Sequence, residues 1–406
     1  MSAAPVRGRA LRVLTEVYGG AGLDALLDRA LDGTPAGQDK AFLAELVRGT
    51  LQWRGRYQHI LQQFVRRLPA DDRLLALFHL SLHQLLALDG VPPFAVLHQA
   101  GELCRRHVGE GKVGFVNGVL RAMMRRLLEP GNEGGVRPEA LAEVFRGLEP
   151  GSVEYLAAWH SHPVWLVRRW LERFGPERTA ALLAFNNGAV RPAFHVLRPA
   201  DPGPMAEALK LLGLDLLGAE TAGALGGRCL MLRERAPRAL LAEALRRHPP
   251  LIVQDPAVQE ATGWLLAGVP APVGAVLDMC AAPGGKTARL AAAWPQAERV
   301  VAMDNRPHRV RMLRQTVARL GDERIEVVQG DGLAAPFPPG SFEVVLLDGP
   351  CSGTGVLRHH PDGRWQLGKN VPARNGRILR KLAHAAADLL APGGTMLYAT
   401  CSLEPH

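Results

Sequence analysis

Apolar residues recur at three- and four-residue steps over much of the first third of the chain. They predict helices over 7–18, 39–52, 57–67, 71–88 and 94–107. Ala-Gly, Pro-Ala-Gly and Gly-Val-Pro-Pro stretches separate them, and Thr34 and Asp71 stand where helix caps are wanted. No catalytic constellation falls in this part, so residues 1–130 read as an all-helical bundle. The Gly-, Pro- and Glu-rich stretch 129–151 reads as a linker. An amphipathic helix is predicted over 163–174, carrying Trp165, Trp170 and Phe174 with Arg168, Arg169 and Arg173 between them. Aromatics interleaved with arginines suit RNA, but tryptophans at helical spacing belong more often to a core, and the core reading is preferred.

Beyond residue 250 the period changes. Short apolar runs end in an acid or a thiol: 274–277 before Asp278, 299–304 ending in Asp304, and 326–332 ending around Asp331. Two more follow, 342–347 before Asp348 and 393–402 containing Cys401. The first runs into Gly284-Gly285 and then an alanine-rich helical stretch from Lys286. Strand, tight turn and helix form the opening unit of a nucleotide-type α/β fold. Glycines there let backbone amides approach a ligand, and the helix start favours negative charge. Asp304 lies about 20 residues past the glycines, where a carboxylate accepts ribose hydroxyls. Five such strands place the chemistry on one rim of a parallel sheet. A nicotinamide cofactor is disfavoured, because Gly-x-Gly-x-x-Gly is missing.

The chain has 406 residues, room for two or three domains. Its 48 Lys and Arg against 39 Asp and Glu leave a formal charge of +9, which favours a polyanionic partner. No apolar run reaches membrane length, and Arg7, Arg9 and Arg12 precede no apolar signal segment, so a soluble, cytoplasmic protein is expected. Five cysteines without paired spacing make no disulfide framework, and the 14 histidines fall in no metal-ligand pattern, so no metal is expected.

The phrases Cys-Ala-Ala-Pro-Gly-Gly-Lys (280–286), Asp-Gly-Pro-Cys-Ser-Gly-Thr-Gly (348–355) and Ala-Thr-Cys-Ser (399–402) resemble those of RsmB/Sun-type RNA cytosine-C5 methyltransferases. The phrases at 91–100 and 115–121 resemble the NusB-type RNA-binding helical domain that precedes the catalytic part in this family, and 251–256 resembles the start of that part. The resemblance implies an all-α NusB-like bundle (1–130), a linker and small α/β module (131–250) and an α/β Rossmann-like methyltransferase domain (251–406). The stretch 194–199 departs from the family's usual strand end in the module.

Carbon 5 of cytosine is too weak a nucleophile to take a sulfonium methyl directly. A thiolate that adds to C6 makes C5 reactive, and a base later removes the C5 proton so that the thiol can leave. Cys351 and Cys401 are the candidate thiols. Spacing leaves open which of them attacks. DNA cytosine-C5 enzymes use the cysteine of a Pro-Cys phrase, which would nominate Cys351. The resemblance to the RNA enzymes implies Cys401 as nucleophile, Cys351 in product release and Asp348 at the base edge or cofactor pocket. It also implies S-adenosyl-L-methionine as cofactor. The turn Cys280, Ala281, Ala282, Pro283, Gly284, Gly285 and Lys286 would wrap its methionine end, with Lys286 near the carboxylate. Asp304 would take the ribose and Asp331 the adenine side, although helix capping would also explain both acids.

The expected partner is ribosomal RNA, bound by a monomer. Between 356 and 382 one acid, Asp362, stands against seven Lys or Arg. Arg358, Arg364, Lys369, Arg374 and Arg377 are the candidates for gripping the target strand, with Arg121 in the helical part. Relatives continue past the position of His406 with further strands, so the sheet is expected to be incomplete at its carboxyl end, with an open edge. The competing reading is an RNA-binding protein whose methyltransferase domain does not turn over.

Overall fold

The computed structural model describes residues 4–35, 37–130, 135–217, 227–234 and 236–405. The chain divides into two compact units: Met1–Gly188 with Val356–Lys369, and Ala189–Gly355 with Asn370–His406.

Among the described residues the first unit carries α1 (Ala4–Tyr18), α2 (Leu23–Asp32), α3 (Gln38–Gln52), α4 (Arg54–Gln62) and α5 (Asp72–Ala87). It continues with α6 (Pro93–His107), α7 (Val113–Leu127), α8 (Pro138–Val144), α9 (Val153–Trp159) and α10 (Val164–Asn186). Helix α5 is the centre, buried from Leu74 through Leu85. Its polar side chains must therefore find partners inside the bundle. The Tyr18 hydroxyl bonds His79 Nδ1 at 2.7 Å, the Tyr57 hydroxyl bonds His83 Nδ1 at 3.0 Å, and Arg7 Nε donates to Gln84 Oε1 at 2.6 Å. Burial holds the His79 imidazole down at about 3, so it stays neutral. Asp71 caps α5 by accepting from the Arg73 amide at 2.9 Å. Thr34 caps nothing; its hydroxyl donates back to the Ala30 carbonyl.

The first compact unit runs on past residue 130, to Gly188. The stretch read as a linker contains α8, and Val144 and Phe145 at its end are buried in the same core as α1–α7; 131–134 lie outside the described residues. Phe145 stacks on His59 at 4.7 Å and meets the edge of Trp159 at 5.1 Å. Two or three apolar anchors outweigh a Gly- and Glu-rich composition, because burial is decided by what a residue touches. Trp170 is fully buried. Helix α10 runs past the predicted 163–174 to Asn186, with a break at Gly175, whose φ of 75° is open to glycine before Pro176.

The second unit opens with an antiparallel sheet of β1 (Ala193–Val196), β2 (Cys229–Met231) and β3 (Leu251–Val253), in the order β2-β1-β3. It packs with α11 (Pro202–Leu211) and α12 (Arg238–Arg247) around Phe194, Val196, Leu209 and Leu251. After α13 (Pro256–Ala267) come β4 (Ala275–Asp278), α14 (Gly285–Ala293), β5 (Arg299–Asp304), α15 (Pro307–Leu320), β6 (Ile325–Gln329) and β7 (Phe342–Leu347). The short α16 (Gly363–Gln366) belongs to the first unit, and α17 (Val371–Leu389) with β8 (Leu390–Tyr398) close the second.

The five later strands form one parallel sheet in the order β6-β5-β4-β7-β8. Alternation along the strands splits its side chains between two cores. Val276, Val300, Ala302, Val344 and Leu346 meet Leu290 and Leu313 on one face. Leu277, Val301, Met303, Val345 and Leu347 meet Leu382, Ala386 and Leu389 on the other. A sheet buried on both faces reads as continuous apolar runs, which is why these strands were visible in the sequence. Two of the strands, β6 and β8, stop earlier than the runs suggest, and the chain leaves β6, β7 and β8 at the carboxyl rim through 330–332, 348–355 and 399–405.

Candidate active site

The sheet order reverses at β4, with β5 on one side and β7 on the other, and such a switch point opens a crevice at the strand ends. The turn after β4 is folded tightly against it. Ala281 donates its amide to the Met303 carbonyl at 2.8 Å, and Met279 donates to Leu346 at 2.9 Å. Gly284 stands at the start of α14 with φ 106°, and a Cβ there would come within 3.0 Å of Leu313 and 3.1 Å of Thr316. Only glycine fits both the torsion and the space.

Asp304, at the end of β5, is 3% exposed. Its Oδ1 accepts from the Arg306 amide at 3.1 Å, while its Oδ2 is buried without a hydrogen bond, 3.5 Å from Arg309 Nη1. Arg309 also donates to the Ala282 carbonyl, so one guanidinium braces the glycine turn and the acid. The sequence reading passed over Arg309; its place in the first turn of α15, five residues after the acid, was the available signal. Asp331 accepts from the Leu333 amide at 3.0 Å and caps a short turn. Lys286 is not open: its Nζ donates to Asp348 Oδ2 at 2.6 Å. Burial and the neighbouring carboxylates push the Cys280 thiol up to about 12, which disfavours its thiolate.

Asp278, the last residue of β4, was also passed over. It is 1% exposed and accepts from Thr287 Oγ1 at 2.7 Å. Burial raises its carboxyl to about 7 against the Thr287 bond, which lowers it. Folding lifts this acid above its ordinary 3.8, so the native protein holds a proton that the unfolded chain releases. The stability this contributes is complete below about pH 4 and is lost as pH rises to about 7. Asp278→Asn, which keeps a neutral group in place, is expected to remove that slope. Urea unfolding at pH 5 and pH 7 should show wild type losing about 2 kcal/mol more than the variant over this interval.

Cys351 and Cys401 are brought together. The loops after β7 and β8 run side by side, and the two sulfurs stand 2.6 Å apart. Gly355 donates its amide to the Cys401 carbonyl at 2.8 Å, and a Cβ on Gly355 would sit 2.8 Å from that oxygen. Ser352 Oγ bonds Ser402 Oγ at 2.6 Å, Thr354 Oγ1 accepts from the Leu403 amide at 2.9 Å, and Asn375 Nδ2 donates to the Cys351 carbonyl at 2.7 Å. Asn375 had no local sequence signal, since it reaches the loop from α17. The side-chain hydrogen bond shared with Cys401 lowers the Cys351 pKa, with the Gly353 and Cys401 amides and the Thr400 hydroxyl acting the same way against burial. That bond and burial raise Cys401.

Of the arginines assigned to RNA, Arg364 is corrected. It is 1% exposed, with its guanidinium donating to the carbonyls of Ser161 (3.1 Å), Asn186 (3.2 Å) and Gln52 (3.4 Å) and to Asn187 Oδ1 (2.8 Å). Arg358 lies over the Phe185 ring at 4.7 Å. Arg121, Lys369, Arg374 and Arg377 are exposed. Among the described residues no group of His, Cys, Asp or Glu is placed to hold a metal, and no helix is long and apolar enough to cross a membrane.

A family model described as "16S rRNA methyltransferase RsmB/F" matches residues 266–406, and one described as "NusB family" matches 4–125. The chain is similar to the ribosomal RNA small subunit methyltransferase B of Klebsiella pneumoniae, 31% identical over 91% of this chain and 79% of the relative. It is 28% identical to the enzyme of that name from Shewanella oneidensis, over 95% and 83% of the two chains. The crystal structure of PH0851 shares the fold, with a TM-score of 0.76 at 20% identity, over 99% of this chain and 86% of that one.

Proposed function

This chain belongs to the RsmB/F family of 16S rRNA methyltransferases, and on that premise we propose that it methylates carbon 5 of a cytosine through a covalent cysteine adduct. The observation that carries the proposal is the pair of thiols 2.6 Å apart at the carboxyl rim of the sheet. S-adenosylmethionine supplies the methyl group. The buried, unbonded Oδ2 of Asp304 suits a ribose hydroxyl, and the turn 280–286 with Gly284 in its left-handed conformation leaves backbone room for the methionine end. Asp331 takes the adenine side. Asp348, held by Lys286, faces the base edge or the sulfonium rather than leaving Lys286 open to a carboxylate.

In the proposed sequence the Cys401 proton passes to the Cys351 thiolate as the Cys401 sulfur bonds to C6 of cytosine. The electron pair of the C5–C6 double bond is then available at C5 to take the methyl. Cys351, with its lowered pKa, releases the transferred proton to solvent. Its thiolate next accepts the C5 proton while the C6–sulfur bond breaks and the double bond reforms, and the proton returns to Cys401. One proton is released per methyl transferred, which balances the loss of the sulfonium charge. Lys369, Arg374, Arg377, Arg121 and Arg358 are the side chains proposed to contact the RNA backbone.

The depressed pKa of Cys351 favours a second reading, with Cys351 as the attacking thiol. A denaturing gel of wild type, Cys351→Ala and Cys401→Ala, each mixed with unmodified 16S rRNA and S-adenosylmethionine, separates the two. Cys351→Ala is expected to trap a slow-migrating protein–RNA adduct and Cys401→Ala none. The opposite pattern would exchange the two roles. Absence of adduct and of methyl transfer in all three, with RNA still bound, would leave the chain a binder only.

A further inference from the structure

Strand β8 carries two large exposed side chains, Met396 and Tyr398, and Tyr398 is the one nearer the thiols. In register it stands opposite Leu347, the residue before Asp348, and it precedes Cys401 by three positions. Strand alternation sends Leu397 into the core and turns Tyr398 to the other face of the sheet, where it is 39% exposed. Partial burial, with Cys351 and Asp348 close enough to act on its hydroxyl, raises the Tyr398 pKa. Helix α17 lies against that face. Gly376, Leu379, Arg380 and Ala383 recur at three- and four-residue steps along one side of α17, and with Tyr398 they line an open cavity of about 400 Å³. Leu379 also backs the loop that carries Cys351, since a Cβ on Gly349 would come within 2.6 Å of it. All of these residues belong to the α/β unit.

The charge here has one sign. Arg380 is exposed, as are Arg374, Arg377 and Lys381, and no acid stands on α17 before Asp388. An aromatic face beside a guanidinium, in an open cavity with no carboxylate among its lining residues, suits a nucleotide. The ring takes the flat face of a base and the cation takes a phosphate. We propose that Tyr398 and Arg380 form a subsite for the nucleotide next to the target cytosine, with Tyr398 stacking on its base and Arg380 pairing with its phosphate. Stacking reads a π-face and no hydrogen-bond pattern, so the subsite tolerates any base and selects single-stranded RNA, whose bases are free to splay. This rests on the reading of the chain as an RNA methyltransferase, so its test is made on binding, which needs no turnover.

The probe is a fluorescein-labelled oligocytidylate decamer, titrated with the full chain and read by anisotropy. Tyr398→Ala is expected to weaken binding about tenfold, the effect of losing one stacked base. Tyr398→Phe keeps the ring and should stay within about twofold of wild type. Arg380→Gln should weaken binding and make the dependence of log affinity on log salt shallower by about 0.7, the share of one single-strand phosphate. The same decamer with one 5-iodocytidine, irradiated on the protein, reports which side chain stacks. Mass spectrometry should find the cross-link at position 398 in wild type and in Tyr398→Phe, and not in Tyr398→Ala. Affinities of Tyr398→Ala and Arg380→Gln within about twofold of wild type, with cross-links elsewhere, would overturn the subsite. A loss in Tyr398→Phe as large as in Tyr398→Ala would also overturn it, by assigning the effect to the hydroxyl. If Tyr398→Ala fails to fold, the cross-link in Tyr398→Phe and the salt dependence of Arg380→Gln decide. A wild type that cross-links at Tyr398 but methylates no 16S rRNA would count against the enzymatic reading and leave the subsite intact.

Discussion

Cys401→Ala is expected to reduce methyl transfer to 16S rRNA by at least about 10⁴-fold, the range seen when the residue that forms the covalent bond is removed from a catalytic unit. Without a sulfur on C6, C5 has no electron pair to offer. Incorporation of labelled methyl from S-adenosylmethionine under single-turnover conditions measures the loss directly. Cys351→Ala is expected to behave differently in the same assay. Its first methyl transfer should survive with a reduced rate, because the proton of Cys401 must then leave to water, while product release stops. A Cys401→Ala variant that retains more than a few per cent of wild-type single-turnover activity would refute the assignment. S-adenosylmethionine binding should stay within about twofold in both variants, since neither thiol touches the turn after β4.

The second large effect lies in the helical unit. Arg364→Ala is expected to destabilise it by about 3 kcal/mol or more, because four oxygens from three separate segments lose their donor inside the protein and a cavity is left behind. Burial has already lowered the Arg364 pKa to about 9, a sign of how fully the guanidinium is desolvated. Arg364→Lys should recover little of this, since a single ammonium cannot span acceptors that a planar fork reaches at once. Chemical denaturation of the full chain gives the magnitude. Hydrogen exchange at the carboxyl ends of α3 and α10 should rise in both variants. An Arg364→Ala protein as stable as wild type, with lower affinity for rRNA, would restore the reading of Arg364 as an RNA contact.

Much of the α/β unit was legible from residues alone. Val300, Val301 and Ala302 or Val344, Val345 and Leu346 are buried on both faces of a parallel sheet, so the strands are continuous apolar runs that stop at an acid. Such runs depend on neighbours only for the fact of burial, and the run itself records it. The glycine turn was equally local, because the left-handed torsion of Gly284 is a demand on one residue. In the helical unit the period of three and four located α1, α3, α5 and α6, and Asp71 declared its cap through its own backbone neighbours.

What the tertiary structure decided was everything that depends on partners far away in the chain. The stretch 129–151 is more than a linker because Val144 and Phe145 share the core of α1–α7, with His59, 85 residues before Val144, against them. Arg364 looked like its basic neighbours until carbonyls from α3, α10 and the turn at Ser161 surrounded it. The same holds at the site. Sequence phrases put Cys351 and Cys401 on one rim of the sheet, but the facing of their sulfurs, the support from Asn375, the Lys286–Asp348 pair and the raised carboxyl of Asp278 are products of packing. A residue's type and local spacing determine which element it enters; its pKa, its exposure and its chemistry are set by charges and surfaces that only folding brings near.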